Sequence, residues 1–225
     1  GANQSELFHP SSRGRLIMTA LTLIKGFQKP THDSQRVFRQ LLKAMSEPGT
    51  LVYVDSPESI DSLHASTFAV CQAMMDQQTP LWLSPNFATP NIKHNLHFHT
   101  GVPIVEESQQ SLFALMSPAE MDSVERFPHV FFQGTDEYPE TGCTVIVQVQ
   151  SVKDDLGEGV NLRLTGPGIE TAQLVSISDL SPPLLNYLSN QTGERNASFP
   201  LGLDFIFIDK NQLVCLPRTT QVEVL

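Results

Sequence analysis

The sequence predicts a single α/β domain with a mixed central sheet, and three observations carry that prediction. Helical and extended segments alternate through the first half of the chain, whereas strands dominate the second, a pattern of mixed rather than purely parallel sheets. The stretch 144–150 is β-branched and almost wholly apolar, as suits a central strand covered on both faces. Its 225 residues, 40% apolar and 17% charged, suffice for a sizeable core in one large domain or two small ones. No repeat, low-complexity tract or linker marks a boundary between units.

The elements follow in order. An apolar run at 16–24 lies behind Arg13 and Arg15, as in a signal peptide, but it is too short to span a membrane and no small-x-small cleavage site follows it. Met18 reads as an initiator. Residues 1–17 are then an added extension without folded structure, and 18–225 the domain. At 34–46, Val37, Phe38, Leu41, Leu42 and Met45 recur at helical spacing, with Asp33 or Ser34 to cap the helix and Pro48-Gly49 to stop it. A strand at 50–54 and a helix at 62–77 follow, the helix turning Phe68, Cys71, Met74 and Met75 inward. Further on come a short strand at 81–83, a helix at 89–97, a strand at 112–116 and a polar segment around 118–126. After the strand at 144–150 come extended segments at 160–165 and 171–177, and a proline-opened helix at 182–190. The chain closes on a hairpin, 203–208 and 213–216, around Asp209-Lys210-Asn211.

Charge and cysteine usage narrow the function. Fourteen Lys and Arg against 24 Asp and Glu give a formal net charge of −10. That balance argues against nucleic acid or an anionic membrane as partner, since both are polyanions, while leaving room for a local basic pocket. Cys71, Cys143 and Cys215 are too few and too dispersed for a disulfide framework or a metal nest, so they read as reduced core thiols of a cytoplasmic protein.

Candidate chemistry is sparse. His94, His97 and His99 crowd together, yet no single regular element gathers all three and no carboxylate lies in the immediate stretch, so no metal site is expected. Leu162-Arg163-Leu164-Thr165-Gly166-Pro167-Gly168-Ile169 ends a strand in a glycine turn. Its free N–H groups can cradle an anion beside Arg163, or it can be an ordinary tight turn. Pro217-Arg218-Thr219-Thr220 follows the last apolar strand. An Arg with two hydroxyls suits phosphate or carboxylate, although it can equally pair with an acid such as Glu223. No P-loop, nucleophile elbow, zinc helix or paired-carboxylate motif is present. The six lysines, Lys25, Lys29, Lys43, Lys93, Lys153 and Lys210, all lie in polar surroundings, unlike a desolvated Schiff-base lysine.

Five peptides, in family order and spanning about Met18 to Leu225, resemble the PhnH family, the H subunit of the carbon–phosphorus lyase system of phosphonate catabolism. They begin with Phe38-Arg39-Gln40-Leu41-Leu42-Lys43-Ala44-Met45-Ser46-Glu47-Pro48-Gly49 and Phe98-His99-Thr100. The 162–169 peptide comes next, followed by Phe199-Pro200-Leu201-Gly202-Leu203-Asp204 and Pro217-Arg218-Thr219-Thr220-Gln221-Val222-Glu223-Val224.

The resemblance implies a fold like the large domain of pyridoxal-phosphate-dependent transferases, but without the cofactor or its lysine. It further implies a homodimer that joins the G, I and J subunits in a core complex. With the L subunit, that assembly transfers an alkylphosphonate to the ribose of a nucleoside triphosphate, making ribose-1-methylphosphonate 5-triphosphate. The J subunit later breaks the carbon–phosphorus bond by iron–sulfur radical chemistry, for which this chain lacks clustered cysteines. The role implied here is a scaffolding, non-catalytic subunit with no catalytic residue of its own. An anion pocket, if this subunit carries one, is expected from Arg163, Thr165, Gly166, Arg218 and Thr219, with His99. Two other classes stand beside this reading, a stand-alone pyridoxal-phosphate-fold enzyme and a free-standing binder of small anions.

Overall fold

The computed structural model describes residues 20–55, 58–121, 127–191 and 193–225. The proposed extension 1–17, Met18 and the 122–126 part of the polar segment fall outside them.

The first helix, α1 (Pro30–Ser46), begins a turn earlier than periodicity suggests, because Pro30 occupies a first-turn position where its missing N–H costs nothing. The Asp33 carboxylate accepts the Lys29 N–H at 2.9 Å and fixes that entry. The inward face differs from expectation. Val37, Leu41 and Ala44 are buried, whereas Phe38 and Leu42 are 43% and 53% exposed. Helix α2 (Ala65–Met74) is shorter than expected at both ends, since His64 and Met75 are already extended. Helix α3 (Pro90–Thr100) runs a turn longer, from a Thr89 cap on the Ile92 N–H to a left-handed Gly101.

The expected mixed sheet is present. Its seven strands are β1 (Val52–Tyr53), β2 (Leu81–Leu83), β3 (Ile104–Val105), β4 (Phe113–Met116), β5 (Thr144–Gln148), β9 (Asp204–Ile208) and β10 (Gln212–Leu216). They stand in the order β1-β10-β9-β5-β4-β2-β3. Strands β3, β2, β4, β5 and β9 are parallel, while β10 returns antiparallel to β9 as the expected hairpin and pairs with β1. Between β5 and β9 the chain builds a second, antiparallel sheet. It comprises β6 (Val152–Lys153), β7 (Val160–Thr165) and β8 (Gln173–Ile177), completed by the C-terminal β11 (Gln221–Val224) in the order β11-β7-β8-β6. Three short α-helices, α4 (Pro118–Met121), α5 (Pro182–Leu188) and α6 (Glu194–Ala197), and two 3-10 turns, Ser108–Gln110 and Pro139–Thr141, complete the elements among the described residues.

Strand alternation divides the interior into two cores. Ile146, Ile206, Ile208, Leu213 and Cys215 face α1, α2 and α3. Val145, Val147, Phe205, Phe207 and Val214 face the small sheet and α5. The architecture is therefore three layers about one wide sheet. Among the described residues no helix is long and apolar enough to cross a membrane.

Candidate functional site

Four of the five quoted peptides meet at one corner, and close backbone approach is what brings them together. Gly168 (φ +85°) lies against the end of α1, where an added Cβ would stand 2.0 Å from the Ser46 carbonyl oxygen. Gly166 (φ +126°) lies against the 217–220 turn, where a Cβ would stand 3.0 Å from the Thr219 carbonyl oxygen. That turn is closed by the Thr220 N–H donating to the Pro217 carbonyl at 2.9 Å. Both glycines therefore face carbonyl oxygens.

The two arginines expected to hold an anion are engaged by carboxylates. Arg218 grips Asp204 as a fork. Its backbone N–H and Nε donate to Oδ1 at 2.7 and 3.2 Å, and Nη2 donates to Oδ2 at 2.7 Å. Nη1 reaches the Pro139 carbonyl at 2.6 Å, and the two side chains are only 11% and 21% exposed. Arg163 lies on β7 directly across from Glu223 on β11 and pairs with it at 3.3 Å, in solvent. Glu223 thus serves Arg163 rather than Arg218. Thr165 sits opposite Gln221 in the same ladder, and Thr219 is exposed.

Arg218 follows β10, but β10 is antiparallel, so Asp204 and Arg218 lie where the parallel strands begin. Ligands of open α/β sheets sit at carboxyl ends. Those ends are tied by hydrogen bonds. Glu120 accepts the Asn86 N–H at 2.7 Å, the Ser117 N–H and hydroxyl at 3.1 and 2.8 Å, and the Ser84 hydroxyl. Burial raises its carboxyl pKa, but these donors outweigh burial and hold it below the ordinary value. Gln148 accepts the His64 N–H and the Thr67 hydroxyl, both at 2.9 Å, and donates to Ser62.

His99 stands apart from this corner. Its Nε2 faces the Ile24 carbonyl at 2.7 Å, and its ring meets Phe68 and Phe98 edge-on. It lines a cavity of about 610 Å³ with Gly26, Gln72, Thr31 and Ser34, and none of the other five expected residues lines it. Neighbouring His97 bonds the Val102 carbonyl and His94 is exposed, so α3 gathers no metal-ligand cluster among the described residues. None of the six lysines is buried.

The residue that sequence reasoning missed is Arg195. It lies on the four-residue α6 at only 5% exposure, and its Nη1 and Nη2 donate to the Leu188 and Pro217 carbonyls at 2.8 and 3.0 Å. No motif surrounds it. The available signal was a basic residue shortly before the Phe199–Asp204 peptide.

Comparison with known proteins places this geometry in a family. Residues 25–223 match the model described as bacterial phosphonate metabolism protein (PhnH). The chain is 28% identical over 198 residues to the alpha-D-ribose 1-methylphosphonate 5-triphosphate synthase subunit PhnH of Rhizobium meliloti (strain 1021), covering 88% of this chain and 94% of that one. It is 30% identical over 190 residues to HtxG of Stutzerimonas stutzeri, named as a C-P lyase subunit protein, covering 84% of this chain and 86% of that one. The chain belongs to the PhnH family of bacterial phosphonate metabolism proteins.

Proposed function

We propose that this protein is a subunit of the carbon–phosphorus lyase system, required for the step that makes ribose-1-methylphosphonate 5-triphosphate. The observation that carries this is the family match across 25–223, with two relatives named for such subunits over more than four fifths of their length. Its role is to scaffold the assembly rather than to perform the chemistry. Arg163 and Arg218 are occupied by carboxylates, and the carboxyl ends of the sheet are knitted together by Glu120 and Gln148. The wide mixed sheet with three helices on one face supports a likeness to the large domain of pyridoxal-phosphate-dependent transferases, here without the cofactor.

The protein acts in the cytoplasm as a homodimer joined to the G, I and J subunits. A net charge of −10 suits docking against basic partner surfaces, where complementary charge steers association. The test is reconstitution of the synthase from separately purified subunits with and without this chain. The expected result is product only when the chain is present, and its elution with the G, I and J subunits on gel filtration. Full product formation in its absence overturns the reading.

A further inference from the structure

The 217–220 turn is held from two sides by two arginines in opposite electrostatic situations. Arg218 has the Asp204 carboxylate. Arg195 has carbonyl partners and, among the described residues, no carboxylate within ion-pair distance. Its guanidinium lies 5.8 Å from the Tyr187 ring centroid, and its Nε has no hydrogen-bond partner among the described residues. A buried cation without a counter-ion is costly. Burial accordingly lowers the pKa of Arg195, and Tyr187 and Asp204 offset this only in part.

A second orphan lies beside it. Thr220 is 2% exposed and its Oγ1 also lacks a partner among the described residues. Both atoms are shielded from bulk water. Arg195 and Thr220 line one cavity of about 150 Å³, together with Ser189, Asn190, Asn196 and Gln221. The cavity wall thus sets hydroxyls and amides around a guanidinium, and it contains no acid. At ~30 Å³ per water the space equals roughly five waters. That suits one phosphate-sized group.

We propose that the cavity between Arg195 and Thr220 binds a single tetrahedral oxyanion of the phosphate class, Arg195 supplying the charge and Thr220 a hydroxyl donor. The group can be a free phosphate or phosphonate, or the terminal phosphate of a nucleotide entering end-on. The expected peptide at 217–220 is thereby involved through Thr220 rather than Arg218. The proposal is independent of the assembly reading, because it is measured on the isolated full chain.

The test is calorimetric titration with inorganic phosphate, methylphosphonate and a nucleoside triphosphate at constant ionic strength. Phosphate is expected to bind the wild type, about tenfold more weakly to Thr220→Val, which loses one hydrogen bond to a charged group, and unchanged to the exposed-arginine control Arg163→Ala. Arg195→Lys retains weak binding and Arg195→Met none. Thermal unfolding of each Arg195 variant guards against loss of fold, and Thr220→Val, which removes an orphan hydroxyl at constant shape, tests the site without touching Arg195. Nucleotide binding that is tighter than phosphate but equally sensitive to Thr220→Val identifies the end-on source, and phosphonate binding without nucleotide binding identifies the free one. Absence of phosphate, phosphonate and nucleotide binding to the wild type up to tens of millimolar, or equal weakening by Thr220→Val and Arg163→Ala, overturns the proposal.

Discussion

At the residue scale, the Gly166-Pro167-Gly168 turn shows how an ambiguous motif resolves. Its sequence fits an anion cradle and a tight turn equally well, because both need glycine at positive φ. The difference lies in what faces it, which no local pattern encodes. Here the neighbour of Gly168 is the Ser46 carbonyl at the end of α1, a contact across more than a hundred residues. An oxygen at a helix C-terminus repels an anion. Gly193 gives the matching control, since it has φ +76° but nothing within 4 Å of an added Cβ. Gly193→Ala is expected to cost only the left-handed penalty of about 1–2 kcal/mol. Gly168→Ala adds a clash with backbone that cannot swing aside, so its cost is roughly 2–5 kcal/mol once overpacking is included. Urea unfolding of the two variants measures this directly, and equal costs would mean that the corner is loosely packed. Arg195 was illegible for a related reason. A lone basic residue on a four-residue helix has no periodicity, and only the tertiary fold shows that it is buried.

At the element scale, the sequence located most helices and strands but misjudged faces and ends. The α1 pattern offers two adjacent apolar stripes, Val37/Leu41/Ala44 and Phe38/Leu42, and periodicity cannot tell which one the sheet covers. Strands fared better because the period of two leaves little choice, and 160–165 has the bounds expected for it. The hairpin strand β10 and its antiparallel return were expected, whereas β11 was not; that β9 joins the parallel set, which puts Arg218 at the amino end of the parallel strands, is a fact of topology that the run of residues does not carry. The short helix α4 owes its position to Ser117-Pro118-Ala119-Glu120, whose glutamate reaches back to accept from the Ser117 N–H and hydroxyl and also bonds Ser84 and the Asn86 N–H beyond β2. Because the donors hold the Glu120 pKa below the ordinary carboxyl value, the ionised form stabilises the fold. The contribution is fully present above the unfolded pKa and is lost as pH falls through the folded one. The stability gap between wild type and Glu120→Gln is therefore expected to be constant near neutrality and to shrink on going from about pH 6 to about pH 3. A gap that does not change with pH would show that the carboxylate charge contributes nothing.

At the scale of the whole molecule, the wide sheet makes two cores into one cooperative body. Neighbouring residues of the same strand serve opposite cores: Ile146 lies between Val145 and Val147, and Ile206 lies between Phe205 and Phe207. Neither core can open without removing the strands that floor the other. The cysteines report on both, with Cys71 and Cys215 in the helix-side core and Cys143 in the core beneath the small sheet. All three are buried thiols. Burial pushes Cys71 and Cys143 up to about 12, and Cys215 higher still. At about pH 8 such a thiol is ionised only about once in ten thousand, and it is shielded from reagent besides. Labelling then requires unfolding. Alkylation in a urea series, read cysteine by cysteine by mass spectrometry, is expected to give one shared midpoint for all three. A lower midpoint at Cys143 alone would show that the four-stranded layer detaches while the helix-covered face stays folded. The corner joining 46–49, 166–168 and 217–220 argues against that outcome, because it ties the small sheet to α1 and to the end of β10.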